Sequence, residues 1–201
     1  MGNNGIKSAI LLSGGMDSIA LAYWKRPDIA FTIDYGQLPA ETEIRISAII
    51  SELLGIEHHI IKIDCSSLGS GDLINVTAID NSPSTEWWPY RNQLLVTLAG
   101  MKAISIGVKR IMLASVKTDS FHKDGTSEFY KRVNELMVYQ EGQIEVLCPS
   151  THLTTVELIK ESKVPKELLF WAHSCHRSTI ACGNCRGCNK YYNVVRELGY
   201  I

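Results

Sequence analysis

The chain has 201 residues, of which 45% are apolar, and this size and composition fit one globular domain with a sizeable core. Its formal net charge of -1 gives no overall attraction to nucleic acid or anionic membranes, so direct nucleic-acid binding is not expected. No basic, apolar leader opens the chain and no apolar run approaches the ~20 residues that span a bilayer, so a cytoplasmic protein without membrane contact is expected. Thiols stay reduced in the cytoplasm, and the six cysteines are therefore interpreted as metal ligands or catalytic groups before disulfides.

Short β-branched and apolar runs alternate with helical patterns along the chain. This alternation predicts a doubly wound α/β domain, in which helices cover both faces of a parallel sheet. The predicted strands are Ser8–Leu12, Ile29–Ile33, His58–Ile63, Arg110–Ala114 and Ile144–Leu147.

Apolar residues at helical spacing predict the helices that connect these strands. The clearest cover residues 46–54, 92–106 and 127–140, and a further helix begins at Thr154. Gly55 stands where a C-terminal cap belongs, and Glu157 completes a capping box with Thr154. The stretch 66–88 shows no period and is interpreted as a long surface loop, a kind of segment that is often functional. The predicted organisation is a wound domain over 1–173 and a Cys-rich segment over 174–201 that packs on the same domain.

A glycine-rich turn, Ser13-Gly14-Gly15-Met16-Asp17-Ser18, follows the first predicted strand and precedes a helix. The glycines let the backbone approach a ligand, and the helix N-terminus presents free N–H groups to an anion. The turn lacks the lysine of a Walker A loop, and its spacing is not the dinucleotide fingerprint. It resembles the Ser-Gly-Gly-x-Asp-Ser loop of the ATP pyrophosphatase superfamily, whose enzymes split ATP into AMP and pyrophosphate. The alternative is an ordinary Gly-rich turn.

Two further features bear on ATP. Asp17 beside a phosphate implies a magnesium ion between them. The second predicted strand ends in Ile33-Asp34-Tyr35-Gly36-Gln37, where a contact to adenine or ribose is expected, although this polar segment can equally be only a turn. The residues expected to contact ATP are Leu12, Ser13, Gly14, Gly15, Asp17, Ser18, Ile33, Tyr35 and Gln37.

Four cysteines near the C-terminus, Cys175, Cys182, Cys185 and Cys188, have the spacing C-x6-C-x2-C-x2-C. Four thiolates leave no open position on a tetrahedral ion, so the pattern predicts structural zinc rather than catalytic zinc. His173 and His176 are competing ligands, and an iron–sulfur cluster or redox thiols are the alternatives. Cys65 and Cys148 lie in or beside apolar runs and are interpreted as core residues.

With both motifs placed, the chain from Ser8 onwards resembles the 7-cyano-7-deazaguanine synthase family of the queuosine pathway. The resemblance includes the glycine loop, Asp34–Gln37, Pro89-Tyr90-Arg91-Asn92, and the stretch from Leu153 through the four cysteines. It implies a five-stranded parallel sheet of the adenine-nucleotide hydrolase kind, usually in a homodimer. It also implies that ATP adenylates the carboxylate of 7-carboxy-7-deazaguanine, that ammonia gives the amide, and that a second ATP dehydrates the amide to the nitrile.

The resemblance implies a set of site residues, and the chain also departs from the family at three segments. The expected catalytic residues are Asp17, Arg91, Lys117 and Asp119, and the expected substrate contacts are Trp88, Tyr90, Arg91, Asn92 and Phe121. Arg91 suits a bidentate clamp on phosphate or carboxylate, or else is a surface arginine at the start of a helix. The departures are Leu38-Pro39 in place of a basic pair, Trp87–Tyr90 in place of a small turn, and Ser120–Gly125 in place of Ser-Gly-Tyr-Pro-Asp-Cys. The new aromatic residues can stack on a deazapurine or cover a hydrophobic seam.

The rebuilt acceptor side leaves other functions open. One is a specialised relative that stops at the amide or joins the deazaguanine acyl group to another amine, including one on a protein partner. Another is a tRNA-thiolating enzyme, which would need a catalytic cysteine pair and a basic surface. A nucleotide-sensing module held together by zinc is the non-enzymatic alternative, and the presence of Asp17 and Arg91 speaks against it.

Overall fold

A computed structural model describes residues 6–201 as an α/β fold around one five-stranded sheet. The strands are β1 Ser8–Leu11, β2 Ile29–Asp34, β3 Glu57–Lys62, β4 Arg110–Met112 and β5 Glu145–Leu147. Every pairing is parallel, in the order β3-β2-β1-β4-β5. The predicted doubly wound sheet of five parallel strands is therefore confirmed, with strand ends shifted by one or two residues.

Seven α-helices accompany the sheet in the described residues. They are α1 Met16–Lys25, α2 Ala40–Leu54, α3 Arg91–Ser105, α4 Ser127–Tyr139, α5 Thr155–Ser162, α6 Lys166–Leu169 and α7 Arg186–Glu197. Gly55 ends α2 with a φ of 67°, a conformation that glycine adopts without a Cβ penalty. The capping box before α5 is formed, since Thr154 N donates to Glu157 Oε2 at 2.7 Å and Glu157 N donates to Thr154 Oγ1 at 3.2 Å.

Two buried apolar clusters cover the two faces of the sheet. One joins α1, α2, α5 and α7 through residues such as Ile19, Ile50, Leu158 and Val194. The other joins α3 and α4 through residues such as Val96 and Val133. Burial on both faces explains why the strands are nearly continuous in apolar residues.

The C-terminal segment shares this core, because Val194 and Val195 of α7 are buried in the same cluster as α1 and α5. The division of the chain at residues 173 and 174 stays a prediction. Among residues 6–201, no helix is both long and apolar enough to cross a membrane.

The stretch between β3 and α3 contains only two short 3-10 turns, Ser66–Leu68 and Gly71–Leu73. A hydrogen bond within the stretch joins its two halves, since Asp72 N donates to the Thr85 carbonyl at 2.8 Å. Gly71, with a φ of 66°, allows this approach, since a Cβ there would lie 1.8 Å from that same carbonyl oxygen. The end of the stretch turns inward and buries Glu86 and Trp88.

Candidate active site

The glycine loop lies at the carboxyl end of the central strand β1. Its base is fixed because the Leu12 carbonyl accepts hydrogen bonds from Thr32 Oγ1 at 2.7 Å and Ser47 Oγ at 2.9 Å. Gly14 has a φ of 72°, and a Cβ there would lie 3.1 Å from the Ile46 side chain. Glycine is thus required at this position both by its backbone conformation and by the packing of α2.

The loop closes on itself before α1 begins. Ser18 Oγ donates to the Gly15 carbonyl at 2.9 Å and shares a hydrogen bond of 3.3 Å with Ser13 Oγ. Gly15 is the N-cap of α1, and no side chain caps this helix end. The first N–H groups of α1 are therefore available to an anion, as expected for a phosphate site.

A three-residue charge bridge stands beside the loop. Lys190 Nζ lies 2.8 Å from Asp17 Oδ2 and 3.4 Å from Asp119 Oδ1. Burial raises the pKa of Asp17, and the nearby Lys190 ammonium opposes that rise. The second oxygen, Asp17 Oδ1, is buried and has no hydrogen-bond partner among the described residues. Asp119 is oriented by the backbone, since its Oδ2 accepts from Val116 N at 3.0 Å.

Two clefts meet at this bridge. A cleft of about 280 Å³ is lined by the glycine loop, with Ser13, Gly15, Asp17 and Ser18 on its wall. A larger cleft of about 580 Å³ opens beside it. The residues that line both are Asn92, Ser115, Asp119, Thr155, His176, Gly187 and Lys190. The arrangement suits two reactants whose reacting groups meet at Lys190 and Asp119.

The larger cleft contains three of the five residues predicted to contact the substrate, namely Trp88, Arg91 and Asn92. Trp88 is buried and packs edge-on against Tyr35 with ring centroids 4.9 Å apart. Asn92 Nδ2 donates to the Asp124 carbonyl at 2.8 Å. Burial alone would lower the pKa of Arg91, but the neighbouring Tyr35 and Asp124 outweigh it and the pKa is raised, so the guanidinium stays charged.

The other predicted acceptor-side residues lie further out. Tyr90 is 79% exposed and Phe121 is 58% exposed, and neither lines the two clefts. The Phe121 ring lies 4.8 Å beneath the Arg186 guanidinium. Lys117 is exposed, and its backbone N donates to the Leu153 carbonyl at 2.7 Å. The roles assigned to these three side chains remain predictions.

The segment from Ile33 to Gln37 forms a buried layer behind the loop cleft. Gln37 Oε1 accepts from Tyr35 N at 2.8 Å, and Gln37 Nε2 donates to the Ile33 carbonyl at 3.0 Å and to Glu43 Oε2 at 2.8 Å. Ile33, Tyr35 and Gln37 are all buried, and none of them lines the loop cleft, whereas Glu43 does. Burial raises the pKa of Glu43 to about 7. The segment therefore positions Glu43, a residue whose place in the site the sequence did not indicate.

The four C-terminal cysteines form one cluster with all sulfurs within 4.8 Å of one another. The Cys182 and Cys188 sulfurs are 3.9 Å apart, and those of Cys175 and Cys185 are 4.0 Å apart. A tetrahedral ion with metal–sulfur bonds of about 2.3 Å requires sulfurs about 3.8 Å apart. The Cys188 amide donates to Cys185 Sγ at 3.4 Å, which fixes the position of that sulfur. The residues present can hold a metal ion.

Cys65, Cys148 and His173 lie outside this ligand set, whereas the backbone N of His176 donates to Cys185 Sγ at 3.5 Å. His173 Nε2 is hydrogen-bonded to the Ser178 carbonyl at 2.9 Å. Cys65 is buried, and burial raises the pKa of Cys148 to about 12. The raised pKa of Cys148 is the opposite of what a reactive cysteine needs.

Sequence reasoning missed the residues that α7 contributes. Lys190 follows Cys188 by two residues and Arg186 follows Cys185 by one, so both were hidden inside the metal-binding pattern. An i, i+4 spacing of basic residues was the available signal, since it places both side chains on one helix face.

The sheet order, the loop after β1 and the adjoining clefts define an α/β nucleotide-binding protein of the pyrophosphate-loop class. Two solved structures share the fold. The U34-tRNA thiolase NcsA from Methanococcus maripaludis matches 98% of this chain and 72% of its own, with a TM-score of 0.56 and 16% identity. The NMN synthetase from Francisella tularensis matches 98% of this chain and 78% of its own, with a TM-score of 0.51 and 18% identity. At these identities the likeness shows the fold alone.

The family is narrower than the fold. Residues 7–199 match the sequence model described as queuosine biosynthesis protein QueC, and the chain belongs to that family. A 7-cyano-7-deazaguanine synthase of Desulforudis audaxviator is 31% identical, over 98% of this chain and 99% of the relative. One of Methanococcus maripaludis strain C7 is 28% identical, over 98% of this chain and 97% of the relative.

Proposed function

We propose that the chain is an ATP-dependent carbon–nitrogen ligase that adenylates 7-carboxy-7-deazaguanine and converts it with ammonia to the amide and then the nitrile. The observation that carries the proposal is the meeting of the phosphate-loop cleft and the larger cleft at Lys190 and Asp119. This geometry lets a phosphate of ATP and a carboxylate of a second substrate approach each other. The family membership supports the choice of a deazaguanine acid.

In the proposed reaction, ATP lies in the loop cleft with its phosphates against the loop N–H groups, Ser13 and Ser18. A carboxylate oxygen of the acid attacks the α-phosphorus, and the bond from that phosphorus to pyrophosphate breaks. Lys190 places a positive charge beside the reacting groups, and the loop fixes their alignment. Ammonia then attacks the acyl carbon, a proton is lost, and AMP leaves with the electrons of the acyl–oxygen bond.

The second half of the proposed reaction repeats the first activation on the amide. The amide oxygen attacks the α-phosphorus of a second ATP, and pyrophosphate leaves again. Loss of AMP and of the nitrogen-bound protons gives the nitrile. Arg91 and Asn92, which line the larger cleft beside Trp88, would hold the acid and then the amide in one place for both activations.

The site also fits the two metals that this function implies. Asp17 Oδ1, buried without a partner, and Asp119 are oxygen ligands of the kind that magnesium prefers. Magnesium bound there would neutralise charge on the phosphates. The four thiolates fit a structural zinc ion, which would fix the start of α7 and hence the place of Lys190.

The test is mass spectrometry of the products formed from magnesium-ATP, ammonium and 7-carboxy-7-deazaguanine. We expect AMP, pyrophosphate and the nitrile from the wild-type protein, and none of them from Asp17→Asn. Asp80→Asn, which changes an exposed loop carboxylate, is the matched control and should keep full turnover. Amide or adenylate that accumulates without nitrile would replace the proposal with the specialised relative that uses another amine. No AMP with this acid would overturn the deazaguanine assignment.

Two related expectations accompany the proposal. The resemblance implies a homodimer, which light scattering of the purified protein would test. A thiolating activity would need an activated thiol outside the metal cluster, and the buried Cys65 and the raised pKa of Cys148 argue against one.

A further inference from the structure

A buried carboxylate lies in the wall of the larger cleft. Glu86 is only 7% exposed, and its Oε1 accepts from Arg186 Nη1 at 2.7 Å. His122 Nε2 lies 3.6 Å from the same oxygen. Burial alone would raise the pKa of Glu86, but its hydrogen bonds and Arg186 outweigh it and the pKa is lowered. This part of the cleft therefore holds an ionised acceptor of hydrogen bonds.

Two imidazoles beside Glu86 have unused ring nitrogens. His122 Nδ1 and His176 Nδ1 are both buried without a hydrogen-bond partner among the described residues, and both residues line the larger cleft. Buried polar atoms without partners are costly, and a polar ligand in the cleft would satisfy them.

The helix α7 sets the distance between Glu86 and its histidines at one end of the cleft and Lys190 at the other. Arg186 and Lys190 are four residues apart on α7, one turn of helix or about 6 Å along its axis. Lys190 contacts Asp17 and Asp119, whereas Arg186 contacts Glu86. One turn of helix thus separates the reacting end of the cleft from the end that holds Glu86.

The two ends of the acid proposed above match the two ends of the cleft in their hydrogen-bonding groups. Its carboxylate belongs at the Lys190 end, where ATP would activate it. The pyrimidine ring of a deazaguanine carries two adjacent donors, the ring N1–H and the 2-amino group, and a carboxylate oxygen pair accepts from both. Trp87 and the buried Trp88 follow Glu86 in the chain and line the same cleft, and Trp87 offers flat apolar surface to the bicyclic ring.

We propose that Glu86 determines base specificity by accepting hydrogen bonds from N1–H and the 2-amino group of the deazaguanine acid. This inference rests on the proposed function. Arg186 is a positioning residue in this scheme, because it fixes the orientation of the Glu86 carboxylate and lies on the same helix as Lys190.

The experiment compares two acids that differ by one donor group. Pyrophosphate release is measured with 7-carboxy-7-deazaguanine and with the analogue that lacks the 2-amino group, and kcat/KM is obtained for each. We expect the kcat/KM of the wild-type protein to be about 10- to 100-fold higher for 7-carboxy-7-deazaguanine than for the analogue. A bidentate contact to a base edge gives discrimination of that order. In Glu86→Gln, which keeps the size of the side chain, this preference should fall about 10-fold or more.

Arg186→Met breaks the ion pair that orients Glu86, so it should also reduce the preference, though by less than Glu86→Gln. Glu197→Gln, which changes an exposed carboxylate in the wall of the same cleft, is the matched control and should keep the preference within about threefold. If the role of Glu86 is only structural, Glu86→Gln should lower kcat/KM equally for both acids and leave the preference unchanged. This result would overturn the inference about Glu86 but not the proposed function. If the wild-type protein releases pyrophosphate with neither acid, the proposed function fails and the inference fails with it.

Discussion

The bridge of Lys190, Asp17 and Asp119 permits a quantitative prediction for Lys190→Met. The side chains of these residues are 35%, 18% and 37% exposed, so the bridge is neither fully buried nor fully solvated. Two unit charges 4 Å apart attract by about 4 kcal/mol at an effective dielectric constant of about 20, before desolvation is subtracted. Exposed ion pairs contribute about 0–1 kcal/mol, whereas breaking a buried pair costs about 3–5 kcal/mol. We therefore expect a loss of about 1–2 kcal/mol in the free energy of unfolding.

The cause of this loss can be isolated with a second substitution. Without the ammonium, Asp17 and Asp119 repel each other, and the burial of Asp17 is no longer offset. Asp17→Asn removes the repulsion, so the double variant should lose less stability than the two single variants added together. The expected coupling is about 1 kcal/mol, within the range of residues that share one network.

The assay is urea unfolding followed by circular dichroism at pH 7 in buffer without magnesium. Lys131→Met, which changes an exposed lysine on α4, controls for the loss of any surface lysine. Magnesium should restore part of the stability of Lys190→Met, because the two freed carboxylates then have a cation to bind. The reasoning is refuted if Lys190→Met is as stable as Lys131→Met, or if the losses of Lys190→Met and Asp17→Asn simply add.

Two other substitutions test the half-buried Glu43 and the cysteine cluster. Burial raises the pKa of Glu43 from 4.5 to about 7, so the folded state holds this proton more tightly and stability falls as pH rises through that window. Glu43→Gln should therefore match the wild type near pH 4.5 and exceed it by about 1–3 kcal/mol at pH 8 in urea unfolding, whereas Glu41→Gln on the exposed side of α2 should change neither value. Cys185→Ala should lose bound metal and stability, because three thiolates and a void cannot hold the ion as four do. Metal analysis of the purified protein checks this prediction. Cys65→Ala is the control and should keep its metal. Retention of a full equivalent of metal by Cys185→Ala would contradict the assignment of the ligands.

The fold could be predicted from the sequence because its signals are local. Each strand is a short apolar run, and α2 to α5 each carry their own period or cap, as at Thr154 and Glu157. The helices α6 and α7 were not predicted from the sequence. The glycine loop was equally readable, since Gly14 is required by a left-handed conformation that few other residues adopt. Such features depend on neighbours in the chain, and the sequence shows those neighbours directly.

Other parts of the site could not be predicted in the same way. The contact of Ile33, Tyr35 and Gln37 with ATP stays a prediction, and in the fold these three side chains are buried while Gln37 donates to Glu43 Oε2. Glu86 gave no signal in the sequence, because a lone glutamate in an aperiodic loop is ordinarily solvated. In the fold Glu86 is paired with Arg186, which is one hundred residues away in the chain.

The helix α7 connects the cysteine cluster to the bridge of Lys190, Asp17 and Asp119. Cys185 caps the helix, Cys188 lies in its first turn, and Arg186 and Lys190 project from the same stretch. A helix fixes these separations, so an ion held by the thiolates also fixes the two basic side chains. Lys190 contacts Asp17, which is 173 residues away in the chain. The conformational entropy lost when this part of α7 is ordered is offset by the burial of Val194, one turn further along the helix. An ion held by the four thiolates would thus act at a distance from the two clefts, by fixing where the C-terminal helix begins.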